Sequence, residues 1–246
     1  MKTAPKSSRY SLYWFFRQIS SKYSGIEERF LWLVSATPQR FKRLLFHFTS
    51  FKTINRPFLV DNWFTVLFIY IFELFGIIEI YESLTSLVKF NTRPLTENEM
   101  AIALNVFGET MNYELIRIDQ SAYAGPKQMN IAYVSFHTVN SWGKMRKDIF
   151  IHELMHVWQY ERMGAVYIPL ALAAQKTKMG YNYGGVPALS ENTEQGLKAF
   201  NLEQQADIVA DYYRISHGYR PAWGNGTKKD LPIYERYAQQ VRDKIL

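Results

Sequence analysis

Ile149-Phe150-Ile151-His152-Glu153-Leu154-Met155-His156-Val157-Trp158-Gln159 decides how this chain is read. Residues four apart on an α-helix stand one turn above each other on the same face. His152 and His156 can therefore direct two imidazoles at one ion, and Glu153, beside the first, can reach a water on that ion. Ile149, Leu154, Val157 and Trp158 give the segment helical periodicity and a face for a core. The chain has five histidines and no cysteine, so ligands must come from His, Asp and Glu, and two histidines at this spacing are informative. The plainer reading, two surface histidines on an ordinary helix, gives Glu153 no task.

Two imidazoles leave a third ligand to find. The metzincin continuation would place Gly at 159 and His at 162, where this chain has Gln159 and Arg162. A carboxylate from a later helix is the alternative. In Asn201-Leu202-Glu203-Gln204-Gln205-Ala206-Asp207, Asn201 and Gln204 have the spacing of a capping box. Glu203 falls in the first turn, with Asp207 on the same face one turn later. Glu203 is the expected third ligand, and Asp207 the expected acceptor for the far N–H of a ligand histidine. Asp207 and Asp211 are the alternatives for the ligand itself. Two imidazoles, one carboxylate and an open position suit zinc.

HExxH followed by ExxxD resembles the gluzincins, the thermolysin-like peptidases. The resemblance implies that Glu203 binds zinc and Asp207 orients the first histidine. The 47-residue gap from His156 to Glu203 is longer than in those enzymes and implies an inserted loop. Over about residues 94–214, the strings RPLTENEMAIALNVFGETMNYELIRID, HELMHVWQ, YNY and EQQADIVADYY are similar to a bacterial group of small zinc peptidases. That group is found near type VI secretion (Vgr-related) or contractile-injection genes. The resemblance does not extend to the first 90 residues.

The expected fold is α+β and mostly helical: a zincin-like catalytic domain (94–246) with a small sheet, preceded by a helical, basic and aromatic region (1–93). Thr96 and Glu99 form a capping box for a helix running to Gly108. Residues 113–118 and 131–139 read as strands, 144–163 and 202–216 as helices, 177–196 as a long loop, and the tail from Pro232 as a last helix. Within 1–60, breaks are expected at Gly25, Pro38 and Pro57, and Asp61 or Asn62 is expected to cap a helix over 63–89. Oxyanion stabilisation needs a donor; Tyr183 is the first choice, His217 the second, and Tyr181 lies in the same loop. The 131–139 strand, carrying His137, is the expected edge for an extended peptide substrate.

Net charge is +7, and residues 1–62 alone carry +8, from eleven Lys or Arg against three acids. That arm is also aromatic, with Trp14, Phe15, Phe16, Phe30 and Trp32 among its residues, so a solvated basic face and membrane contact through residues 1–90 both fit. No nucleic-acid-binding motif accompanies the charge. No cleavable signal peptide is recognised, which leaves a cytoplasmic or inner-membrane-associated location. Trp63–Ile78 is 16 residues with one charge, Glu73, a little short for a span. It reads equally as a spanning, an interfacial or a core helix. The function expected is peptide hydrolysis by metal-activated water, with Glu153 as general base. The alternatives are a metal-stabilised, non-catalytic module of a secretion system, or a secreted toxin using the same site.

Overall fold

The computed structural model describes residues 7–49, 63–89 and 91–245, with side chains from residue 25 onward except that of Ala124. The expected break at Pro57 and the cap at Asp61 or Asn62 lie outside them. The described fold is mostly helical with one small mixed sheet.

Helix α1 (Ser7–Thr49) runs unbroken through Gly25 and Pro38, contrary to the breaks expected there. At Gly25 the guanidinium of Arg117 occupies the space a side chain would take, so the glycine serves a close approach. An interior proline costs a helix about 3 kcal/mol. Here ion pairs on both sides, Arg29–Glu82 before Pro38 and Arg40–Glu79 and Arg43–Glu73 after it, hold both halves against the next two helices. The single helix expected over 63–89 is two, α2 (Trp63–Leu74) and α3 (Ile77–Val88), bent by 65°. Gly76 makes the bend: its φ is +69°, and a Cβ there would strike Leu33 of α1. Among the described residues no single helix is long and apolar enough to cross a membrane, and α2 and α3 pass that test only as a bent pair.

β1 (Thr92–Arg93) leads into α4 (Glu97–Phe107), which begins with the expected Thr96–Glu99 capping box. The sheet order is β1-β2-β4-β3, with β2 Arg117–Asp119, β3 Tyr133–Ser135 and β4 Thr138–Asn140. β2 pairs parallel with β4, and the outer pairs are antiparallel. The strand expected at 113–118 is therefore shorter and later. The strand expected at 131–139 is a hairpin, turned at Phe136 with φ +57°. Only its first half, β3, is an edge.

α5 (Lys147–Met163) carries the two histidines and stops at Gly164. α6 (Tyr167–Gln175) and α7 (Gly185–Glu191) follow, the second inside the stretch read as loop. α8 (Leu202–Ser216) starts at the expected Asn201–Gln204 capping box, and α9 (Leu231–Arg242) closes the chain. α5 and α8 pack against each other and are buried over most of their lengths. Ala206, Val209, Leu154 and Trp158 belong to one core with Ile118 and Val139 of the sheet.

His137 sits in the hairpin turn, fully enclosed by other elements. Its Nδ1 lies 3.1 Å from Glu82 of α3 and its Nε2 3.4 Å from Glu161 of α5. Tyr160 of α5 and Trp32 of α1 pack edge-on to its ring. Burial disfavours the charged ring, but the two carboxylates outweigh it and raise its pKa to about 9. A histidine raised above its ordinary value of about 6.5 stabilises the fold fully below pH 6.5, and that contribution disappears as pH rises through 9. His137→Gln should therefore melt below the wild type at pH 6, with the gap narrowing by roughly 5–10 °C at pH 9.5, about 3 kcal/mol. A gap that does not change with pH would show that His137 holds these elements together without its charge.

Candidate metal centre

α5 and α8 bring three donors together. Nε2 of His152 and Nε2 of His156 each lie 3.3 Å from Oε2 of Glu203, and the three ligand atoms lie within 4.8 Å of one another. All three residues are buried. Their packing follows from the sequence: the i,i+4 pair sets the imidazoles on one face of α5, and the Asn201 cap fixes the first turn of α8, where Glu203 stands.

The opposite edge of each ring is engaged. Nδ1 of His152 lies 2.9 Å from Oδ1 of Asp207, and Nδ1 of His156 lies 2.8 Å from Oε1 of Gln159. Both oxygens are acceptors, so each Nδ1 donates, and a neutral ring then points its Nε2 lone pair inward. Two lone pairs and a carboxylate oxygen thus converge. Oε2 of Glu203 is buried without a hydrogen-bond partner, and so is Oε2 of Glu153. Charge-assisted N–H···O⁻ bonds are usually about 2.7–2.9 Å, shorter than these contacts. Two ligands at about 2.0–2.1 Å from a tetrahedral ion stand about 3.3–3.4 Å apart, the separation seen here. The donor set therefore fits zinc.

Electrostatics agree with a site built for a cation. Burial would raise the Glu203 carboxyl, but the His152 and His156 rings 3.3 Å away hold it well below the usual range. Burial would lower His152, but Asp207 and Glu203 raise it to about 10; His156 is raised for the same kind of reason, chiefly by Glu203. Glu153 is raised by burial, against the pull of the two histidines.

Surrounding groups fix the donors. The indole N–H of Trp223 donates to Asp207, and the Gln175 amide donates to Oε1 of Glu203 at 2.8 Å. Gln159, fully buried, donates to Leu202 O and to Gln205 Oε1, both at 3.0 Å. Its partnership with His156 was legible as an i,i+3 pair on the helix. Gln175 and Trp223 arrive through tertiary folding and leave no local signal.

No family model and no solved structure matches the chain. Among curated proteins it is similar to the type VI secretion system spike protein VgrG2b of Pseudomonas aeruginosa, 29% identical over 156 residues. The match covers 57% of this chain and 15% of that protein. The association with Vgr-type proteins drawn from the sequence strings thus has a counterpart among known proteins.

The remaining expected site residues are placed as follows. Asp207 stands behind His152. Asp211 is turned away from the donors, held by Arg214 at 2.6 Å and by the Ala222 N–H. Tyr183 is not brought to the histidines: it is buried, and its hydroxyl donates to Asp211 at 2.6 Å. Its ring packs in the core beside Tyr234. His217 caps the far end of α8, about 20 Å from Glu203 by helical rise. Its ring lies on Tyr213, 4.1 Å between centroids. The tyrosines that do pack on the ligand rings are Tyr181, 5.9 Å from His152, and Tyr167, 6.3 Å from His156. The Tyr167 hydroxyl donates to Val134 O on the edge strand β3 at 2.9 Å, whereas Tyr181 is partly exposed.

Proposed function

We propose that this chain is a zinc-dependent metallopeptidase acting on protein or peptide substrates, associated with a type VI secretion system. The observation that carries the chemistry is Glu153: a buried carboxylate with one oxygen unpartnered, next to a three-donor cluster. Leaving such an oxygen without a partner costs the fold, and a structural zinc site would use four protein ligands and need no such group. Zinc held by His152, His156 and Glu203 would supply a bound water acidic enough to attack a peptide carbonyl near neutral pH.

The chain's own residues perform the remaining work. Glu153 takes the proton from the attacking water and returns it to the leaving amine. Asp207 and Gln159 fix the tautomer and direction of the ligand rings. Tyr181, the partly exposed tyrosine over His152, replaces Tyr183 and His217 as the donor toward the developing oxyanion. β3 offers its free edge to an extended substrate, and Tyr167 links that edge to His156.

The likeness to a spike protein favours a second reading, a metal-stabilised module of the secretion apparatus with no turnover. A degenerate library of unstructured peptides separates the two. The peptidase reading expects cleavage that a zinc chelator abolishes and added zinc restores. A zinc-loaded chain that cleaves none of the library favours the module.

A further inference from the structure

Helices α2 and α3 are built inside out. Their 26-residue stretch, 63–88, contains three acids and no base, and all three acids, Glu73, Glu79 and Glu82, are buried. Each pairs with an arginine of α1: Glu73 with Arg43 at 3.4 Å, Glu79 with Arg40, and Glu82 with Arg29 at 3.8 Å. The exposed side chains of the same stretch are apolar apart from Thr65 and Tyr81. Phe68 and Phe72 stand one turn apart on α2, Phe75 is 72% exposed at the bend, and Ile80, Leu84 and Leu87 continue the stripe along α3. α1 adds Phe30, Val34, Phe41, Leu45 and Phe48 at helical spacing, all exposed. Monomeric soluble proteins rarely expose apolar stripes on this scale.

We propose that this surface inserts into one leaflet of a lipid bilayer and makes the chain a monotopic membrane protein. A protein partner is the poorer occupant, because such interfaces have polar rims and about one hydrogen bond per 100–200 Å². Here the exposed positions of 63–88 offer only Thr65 and Tyr81 for hydrogen bonding, with Ser83 and Thr85 half-exposed and the Thr85 hydroxyl already donating to its own helix. Hydrocarbon makes the opposite demand: every polar group must be satisfied internally. Glu79 meets it through Arg40, Glu73 through the Ala165 N–H at 3.0 Å and Arg43 at 3.4 Å, and Glu82 through His137, whose backbone N–H donates to it at 2.9 Å; so does the helix break, where Arg40 donates to Glu73 O at 2.7 Å. Each helix alone is about 18 Å long, short of a core of about 30 Å, and the pair does not project: Val66 and Tyr70 of α2 pack on Val166, and Ile78 and Glu82 of α3 meet Tyr160 and His137, so both helices lie along the rest of the fold. One leaflet is the depth that fits. Exposed Glu27 and Lys42 on α1 mark where the surface returns to water, and the balance of residues 1–88, +5 once Glu73, Glu79 and Glu82 are set against their arginines, favours an anionic headgroup layer.

The test is flotation of the full chain with phosphatidylcholine vesicles, with and without 30% phosphatidylglycerol, in low salt and in 1 M NaCl. The chain is expected to float with both and to stay bound in 1 M NaCl. The variant F68E/F72E/L84E, altered only at exposed positions, should keep its melting temperature and float at least tenfold less. Binding only to the anionic vesicles and lost in 1 M salt would overturn insertion in favour of charge adsorption. Equal flotation of the variant would overturn the assignment of the face. A chain that stays at the bottom as a dimer would assign the face to a second copy. One that stays there as a monomer would overturn the membrane assignment.

Discussion

Glu153→Gln should leave about one zinc per chain and lower kcat/KM on an unstructured polypeptide by roughly a thousandfold. General acid–base groups contribute about 10²–10⁴-fold, and a glutamine cannot accept the proton of the attacking water. Because Glu153 is not among the three converging donors, metal content should not follow activity. The substitution removes a charge whose burial cost outweighs the pull of His152 and His156, so the variant should melt no lower than the wild type. Loss of activity at unchanged zinc and unchanged stability isolates a chemical role. A variant that cleaves normally would remove Glu153 from the mechanism and return the site to a metal-stabilised module. The wild type's acid limb should reflect Glu153: its pKa is raised by burial, so activity should begin to fall at a pH above the ordinary range of an exposed glutamate. That limb should be absent from any residual activity of the variant.

What could be read from the sequence was local. His152 and His156 on one face, the Thr96–Glu99 and Asn201–Gln204 boxes, and the glycine stop at 164 each depend on residues within a turn or two, and each stands as expected. The errors arose where distant residues decide. Pro38 and Gly25 have the poor propensities of helix breakers, but tertiary pairing to α2, α3 and Arg117 overrides them. The break at Gly76 has only a single glycine and the charges Glu73 and Glu79 to mark it in an apolar run; Leu33 of another helix sets it. α6 has almost no amphipathic signal to read: Tyr167, Ala171, Ala173 and Ala174 are buried around much of its circumference. Residue type and proximity in sequence single out Tyr183 and His217, and neither says which way a side chain points. Asp207 could be placed because a helix repeat fixes it relative to Glu203.

Removing donors one at a time should give a graded loss of zinc. His156→Ala and Glu203→Ala each leave two protein ligands, and both should fall from about one zinc per chain to a small fraction after dialysis against a weak chelator. Asp207→Asn should retain the metal but bind it about 10–100-fold more weakly, the usual effect of losing the acceptor behind a ligand histidine. Asp211→Asn should leave zinc affinity unchanged, since Asp211 faces Arg214, Tyr183 and the 222–223 backbone. Its cost should appear in melting temperature instead, because Arg214 keeps only Asp148 as a charged partner. The order of the series carries the argument. Zinc retained in Glu203→Ala but lost in Asp207→Asn would exchange the roles of the two carboxylates along α8 and move the metal toward the other edge of His152. Zinc lost in His156→Ala alone would leave the third ligand outside α8. The expected order, with Glu203 grouped with the histidine and Asp207 intermediate, requires the convergence on Glu203 Oε2 to be the metal position. A graded outcome also separates ligation from folding, because a variant that simply unfolds would lose its metal and its melting transition together.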